Sequence, residues 1–191
     1  MELILASTSP YRRQLLEARQ VPFKAVAPLC DEDQLKDPNL SGTDLTRKLA
    51  QAKAESLKAL YPNAYIIGSD QVLEFEGAIF GKPKTKERAL EQLLSLQGKT
   101  HQLVTSLYIH APHRAWAHTE VVSLVMRTWS EAELRRYIEA DLPLDCAGSY
   151  KLEKKGLLLF EEIHAHDYES IIGLPLLKLF SILRDEQFTL L

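Results

Sequence analysis

The spacing of apolar and polar residues along this chain changes repeatedly, and each change marks the edge of an expected strand or helix. Leu3 to Ala6 is an unbroken apolar run short enough for a buried strand. Ser7-Thr8-Ser9-Pro10 then supplies a helix cap, with proline at the first helical position, ahead of a helix over Tyr11 to Ala18. Phe23 to Ala27 alternates as a strand does, and the acidic, proline-containing stretch Pro28 to Ser41 reads as a surface loop. From Thr43 to Leu60 the period is helical, with Leu45, Leu49, Leu57 and Leu60 on one stripe, Lys53 standing among them, and Pro62 barring continuation. Tyr65 to Ile67 reads as a strand leading into Gly68-Ser69-Asp70-Gln71. Val72 to Phe75 and Ala78 to Phe80 read as a hairpin that turns at Glu76-Gly77, after which Gly81-Lys82-Pro83 breaks the chain.

The second half continues in the same manner. Thr85 to Leu96 is an expected helix closed by Gly98, and Gln102 to Ile109 and Val121 to Met126 are expected strands joined by the polar region Ala111 to Thr119. Ser130 and Glu133 form a capping box for a helix to about Ala140. Pro143 to Gly148 is a connector, Leu157 to Ile163 a strand, and Pro175 to Arg184 an amphipathic helix with Leu176, Leu179, Phe180 and Leu183 inward. The order is mixed α/β, without an internal repeat, a low-complexity stretch or a long linker. The expected architecture is a mixed twisted sheet flanked by helices, with two lobes about a central cleft, in a single domain over residues 1–191.

Composition narrows the function classes. A hydrophobic share of 46% over 191 residues is ample for a packed core. A net charge of -3 with acids and bases intermixed leaves no basic stripe of the kind that tracks a nucleic acid. No basic leader precedes a long apolar run and no segment approaches the roughly 20 apolar residues of a membrane span, so a cytoplasmic protein is expected, with neither nucleic acid nor membrane as partner. Cys30 and Cys146 lack the spacing of a metal knuckle or redox pair and read as buried or half-buried thiols.

Several residues stand where chemistry is done, and each also has a plain structural reading. The hydroxyl-rich turn at Ser7 opens a helix whose backbone N–H groups suit an anion, with Arg12 and Arg13 directly after it; a well-capped helix with two solvated arginines fits the same residues. Lys53 has leucines at i−4, i+4 and i+7, so its ammonium either snorkels out of an inward face or meets an anion. Asp70 ends the run Tyr65 to Ser69, at the carboxyl end of an expected strand, where ligands of open α/β sheets gather and where aspartate also caps turns. Glu32 in its acidic loop, Lys82 between Gly81 and Pro83, and Glu153 after Cys146-Ala147-Gly148-Ser149-Tyr150 are taken singly as solvated charges. No histidine pair is spaced for zinc, and no serine sits in a nucleophile elbow. Carboxylates with arginines and lysines suit Mg²⁺ or Mn²⁺ and phosphate-ester chemistry without a covalent intermediate.

Taken together, four segments resemble the signatures of the Maf family in order. They are Leu5-Ala6-Ser7-Thr8-Ser9-Pro10-Tyr11-Arg12-Arg13; the Lys53 helix; Gly68-Ser69-Asp70-Gln71 with Gly81-Lys82-Pro83; and the Cys146 to Tyr150 run with Ile171-Ile172-Gly173-Leu174-Pro175. The resemblance covers almost the whole chain. It implies an inosine-triphosphatase-like fold, a homodimer, and hydrolysis of a nucleoside triphosphate to a monophosphate and pyrophosphate with a divalent metal. On that basis Ser7, Arg12, Arg13, Lys53 and Lys82 hold the triphosphate, Asp70 orients and deprotonates water, and Glu32 with Asp70 holds the metal. Tyr11, Gln71 and Glu153 resemble the branch that acts on 7-methyl-GTP. A carboxylate at Glu153 accepts from the guanine N1–H and N2–H₂ edge, and an aromatic ring at Tyr11 stacks on the cationic base with a gain of about 0.5–2 kcal/mol. Some members carry tryptophan in place of Tyr11. Two alternatives are a dTTP- or UTP-directed enzyme of the same family, whose branch carries arginine, threonine and glutamine at these three places, and a regulator of septum formation that acts by binding protein.

Overall fold

In the computed structural model, which describes residues 2–190, strand β1 (Leu3–Ala6) has all four side chains buried, as expected where both faces of a parallel strand are covered. It pairs in parallel with β2 (Lys24–Val26) on one side and β3 (Tyr65–Phe75) on the other, placing Leu3 against Tyr65, Ile4 against Ile66 and Leu5 against Ile67. With β4 (Ala78–Phe80), β5 (Thr100–His110), β6 (Ala115–Met126) and β7 (Phe160–His164) these make a mixed seven-stranded sheet in the order β2-β1-β3-β5-β6-β7, with β4 antiparallel to β3. The expected mixed α/β sheet with helices about it is therefore the one found. No helix among the described residues is long and apolar enough to cross a membrane.

The chain divides into two compact units. The first runs to Asp70 and takes in Thr105–Glu120 and the chain from Asp167 onward; the second comprises Gln71–Val104 and Val121–His166. In the first, period-2 alternation assigns the two faces of β1 and β3 to different partners. Leu3, Leu5, Tyr65 and Ile67 pack with Leu15 and Leu16 of helix α1 (Pro10–Glu17) and Leu176, Leu179 and Leu183 of helix α7 (Leu176–Asp185). Ile4, Ala6 and Ile66 pack with Ala54 of helix α3 (Gly42–Glu55) and with Leu57 beyond its end. A Cβ at Gly68 would lie 2.0 Å from the carbonyl oxygen of Ala50 and 2.9 Å from the amide nitrogen of Ala54, so α3 rides on β3 at a separation only glycine permits.

Several element boundaries differ from expectation for physical reasons. β3 is one continuous strand, and Gly68-Ser69-Asp70-Gln71 lies in its middle, because the glycine serves helix packing and Ser69 and Asp70 are buried with bonded partners. The acidic loop holds a single-turn helix, α2 (Glu32–Leu35), capped by the Asp31 side chain. Helix α3 stops at Glu55, leaving Leu60 60% exposed and off the inward stripe. β6 begins at Ala115, so the link after β5 is short, and Leu157 and Leu158 form an exposed helical turn ahead of β7. A short helix, α6 (Glu169–Ile172), was not expected.

In the second unit α4 (Lys86–Leu96), which buries Ala89, Leu90, Leu93 and Leu96, packs with α5 (Glu131–Asp141), whose Ser130–Glu133 capping box is present as expected. Inside it His101 is 2% exposed, with Nε2 3.1 Å from the Tyr150 hydroxyl and no hydrogen-bond partner for Nδ1 among the described residues. Burial pushes its pKa down to about 4 from the ordinary 6.5. The unfolded chain then takes up a proton on falling through pH 6.5 that the folded chain refuses until about pH 4, so stability present at neutral pH is lost in between. The expected outcome is that His101 accounts for about 2 kcal/mol of the stability lost between pH 7 and pH 5. Urea unfolding of wild type and His101→Asn at both pH values checks it, the variant showing a smaller loss.

Candidate functional site

The chain leaves the sheet after Ala6, and Ser7 takes the first buried position beyond it. The Ser7 Oγ accepts from the Ser9 amide at 3.1 Å and from the Arg12 guanidinium at 3.4 Å. The Ser9 hydroxyl in turn caps α1, and Pro10 begins the helix. Tyr11, Arg12 and Arg13 occupy the first turn of α1; Tyr11 and Arg12 are half-buried and Arg13 is exposed. Capping chemistry thus directs the Arg12 side chain back to the end of β1.

Lys53 is where the sequence left two readings open, and the structure resolves them: its ammonium meets anions. Only 6% of its side chain is exposed, and Nζ lies 2.6 Å from Asp70 Oδ1 and 2.9 Å from Glu32 Oε2. The Gly68 approach makes this possible by bringing the last turn of α3 onto β3, where Asp70 points to the same face. The cation also sits favourably near the negative end of the helix dipole. Glu32 reaches the same ammonium from α2 and stays half-exposed.

Charge extends around this trio. Arg12 is within the field of both Asp70 and Glu32; desolvation lowers its pKa and the two carboxylates oppose that shift, leaving a guanidinium charged at any physiological pH. The Cys30 thiol is pushed up by burial and by the Glu32 charge, which makes it a poor nucleophile. Sequence reasoning passed over Lys36, whose pKa is raised by its bond to Asp33 and further by Glu32 and Asp70. Its only local signal was the i,i+3 pairing with Asp33 at 2.7 Å.

The other residues expected at the site belong to the second unit. Gln71 follows Asp70 on β3 and is half-buried, whereas Lys82 and Glu153 are exposed. Two of their segments are tied together by Gln92, a buried amide on the inward face of α4. Its Nε2 donates to the Gly81 carbonyl at 3.1 Å and its Oε1 accepts from the Ser149 hydroxyl. A polar residue beside Ala89 and Leu93 on an apolar face was the available signal, and sequence reasoning missed it.

A buried ammonium shared by two carboxylates, with a guanidinium in their field at the end of the first strand, is the charged centre of this mixed α/β protein. The chain matches the family described as Maf-like protein over residues 2–186, and it belongs to that family. It is similar to three proteins named 7-methyl-GTP pyrophosphatase. The one from Bdellovibrio bacteriovorus is 47% identical over 184 residues, covering 96% of either chain. That from Pseudomonas aeruginosa is 42% identical over 97% of this chain and 96% of its own, and that from Xanthomonas axonopodis is 40% identical over 97% of each. Among solved structures, a HAM1 protein from Coxiella burnetii shares the fold at a TM-score of 0.51 and 11% identity, over 97% of this chain and 99% of that one.

The trio has an unequal energetic structure. Lys53→Met leaves Asp70, with 12% of its side chain exposed, facing Glu32 with no cation between them, whereas Asp70→Asn leaves the ammonium paired with Glu32. The expected losses are on the order of 3–5 kcal/mol for Lys53→Met and about 1 kcal/mol for Asp70→Asn. Urea unfolding at neutral pH without divalent cations checks the order, and a larger loss for Asp70→Asn contradicts it.

Proposed function

We propose that this protein is a nucleoside triphosphate pyrophosphatase that hydrolyses 7-methyl-GTP to 7-methyl-GMP and pyrophosphate, removing a modified nucleotide from the pool, and that residues 1–191 act as a single Maf-like domain. The observation that carries the proposal is the buried Lys53 ammonium held 2.6 Å from Asp70 and 2.9 Å from Glu32 in a chain 40–47% identical to proteins bearing that name. Asp70 is the general base that orients water and accepts its proton. Ser7, Arg12, Arg13 and Lys53 bind the phosphates, whose mutual repulsion otherwise opposes attack, and Lys82 is assigned to the same task on the family resemblance.

Two carboxylates suit a divalent cation such as Mg²⁺ or Mn²⁺, which takes one or two carboxylates from the protein and completes its shell with water and phosphate oxygens. Among the described residues no group of three or more His, Cys, Asp or Glu side chains could hold a metal, and Glu32 and Asp70 are assigned to hold it on the family resemblance. When bound, the cation supplies Lewis-acid charge at the phosphate oxygens. Tyr11, Gln71 and Glu153 are assigned to the base, Glu153 accepting from the guanine edge. A homodimer and a cytoplasmic location are proposed on the family resemblance alone.

Pyrophosphate release by the purified protein with Mg²⁺ or Mn²⁺, across 7-methyl-GTP, GTP, ATP, CTP, UTP and dTTP with a chelator control, tests the reading. The expected outcome is preference for 7-methyl-GTP, dependence on the cation, and a loss on the order of 10²–10⁴-fold for Asp70→Asn. Glu153→Gln is expected to cost about tenfold on the guanine nucleotides alone. Preference for UTP or dTTP overturns the base assignment, and inactivity on the whole panel overturns the enzyme.

A further inference from the structure

One backbone carbonyl in the first unit accepts two side-chain donors. The Gly173 oxygen receives Arg12 Nε at 2.8 Å and the Ser69 hydroxyl at 2.8 Å. Ser69 has no exposed surface, and its neighbour Asp70 points to the opposite face of β3, toward Lys53. The strand that carries the proposed base therefore also holds, one residue away, the acceptor that holds Arg12.

Gly173 itself is tightly defined. It ends α6 at φ +119°, a conformation L side chains rarely adopt, and an added Cβ would lie 3.3 Å from Arg12 Nε. Its own amide donates to the carbonyls of Glu169 and Ser170. The surrounding segment is closed by Asp167, 1% exposed, whose Oδ1 accepts from the Glu169 amide at 3.1 Å and whose Oδ2 accepts from the Leu177 amide at 2.7 Å. One carboxylate thus joins the start of α6 to the start of α7. Thr105 adds a third tether, its hydroxyl donating to the Ser170 carbonyl at 2.9 Å.

An arginine has a planar fork of five N–H donors. With Nε committed to Gly173 and one NH1 hydrogen to Ser7, the plane of the guanidinium is set, and the other NH1 hydrogen and those of NH2 are its remaining donors. We propose that Gly173, held by Ser69 and Asp167, is a positioning residue that fixes the plane of the Arg12 guanidinium so that its remaining donors meet a phosphate as a two-pronged pair. This inference rests on the phosphate-binding part of the proposed function and extends it to residues outside the charged set. Arg12 without that carbonyl keeps its charge and loses its direction, which matters for bidentate binding and little for simple charge attraction.

A double-mutant cycle on the full chain tests it, reading KM and kcat for 7-methyl-GTP and, by calorimetry, the affinity for inorganic tripolyphosphate with Mg²⁺. Gly173→Ala is expected to lower kcat/KM about 10- to 100-fold in the Arg12 background and less than about threefold with Arg12→Lys, because lysine has no plane to fix. Ser69→Ala, which leaves the backbone unstrained, is expected to give a smaller loss of about 3- to 10-fold that likewise vanishes with Arg12→Lys, and it carries the test if Gly173→Ala does not fold. Losses that multiply independently in both cycles overturn the proposal. A wild-type protein that binds tripolyphosphate but hydrolyses no nucleotide overturns the enzymatic reading and leaves this one to be decided by the binding cycle. Failure to bind tripolyphosphate in a protein that hydrolyses 7-methyl-GTP overturns this proposal and leaves the enzymatic reading standing.

Discussion

An ammonium withdrawn from water has to be met by negative charge, and the first unit is arranged around that requirement at Lys53. With 6% of the side chain exposed, the desolvation cost is several kcal/mol unless carboxylates stand in hydrogen-bond contact, and both Asp70 and Glu32 do. Meeting this condition fixes more than the trio. Helix α3 must approach β3 closely, which requires glycine at 68; β3 must stay a strand through Asp70, so that its carboxylate keeps to the α3 face; and the Asp31-capped turn must deliver Glu32. A buried ion pair of this kind is weak evidence for stability, since apolar residues of the same volume do as well or better.

The features legible in the sequence are those with local causes. The Ser9-Pro10 start of α1, the Ser130–Glu133 box, the Glu76-Gly77 hairpin and the Leu179–Leu183 face all rest on neighbours a few residues apart, and all are present. One group of misreadings arises because a polar or small residue in a buried position looks like a turn. Gly68 and Ser69 carry turn-like composition, yet one admits a helix backbone and the other bonds a carbonyl 104 residues away. Leu60, Leu157 and Leu158 err in the opposite sense, apolar in composition and exposed in fact. Neither kind of residue reveals its surroundings through periodicity, because tertiary contacts decide them.

The candidate site divides in the same manner. Lys53 was flagged by a positive charge amid leucines, and that incongruity was real: partners from two distant segments supply what the helix face lacks. Gln92 shows the same incongruity, an amide on an apolar face, and it too proves to join two loops. Gly173 could not be found so, because its contribution is a carbonyl and every residue has one. Backbone groups carry no letter in a sequence, so an anchor made of main chain is visible only through the constraint it imposes, here a positive φ and a Cβ position taken by an arginine.

Strand β3 brings these threads to one consequence. Successive residues of a strand face opposite sides, so Ser69 and Asp70 are committed to different partners by geometry alone: Gly173 and through it Arg12 on one side, Lys53 on the other. A one-residue slip of the strand exchanges the two faces, turning the carboxylate toward the α6 peptide and the hydroxyl toward the ammonium in its place, and it places Gly68 against the wrong helix. The register of β1 against β3, with Leu5 opposite Ile67, is thus a condition for the charge arrangement as well as for the apolar packing. The hydrophobic face that orders the core and the polar pair that orders the candidate site are specified by the same alternation, which is why a short sequence of glycine, serine and aspartate can serve both.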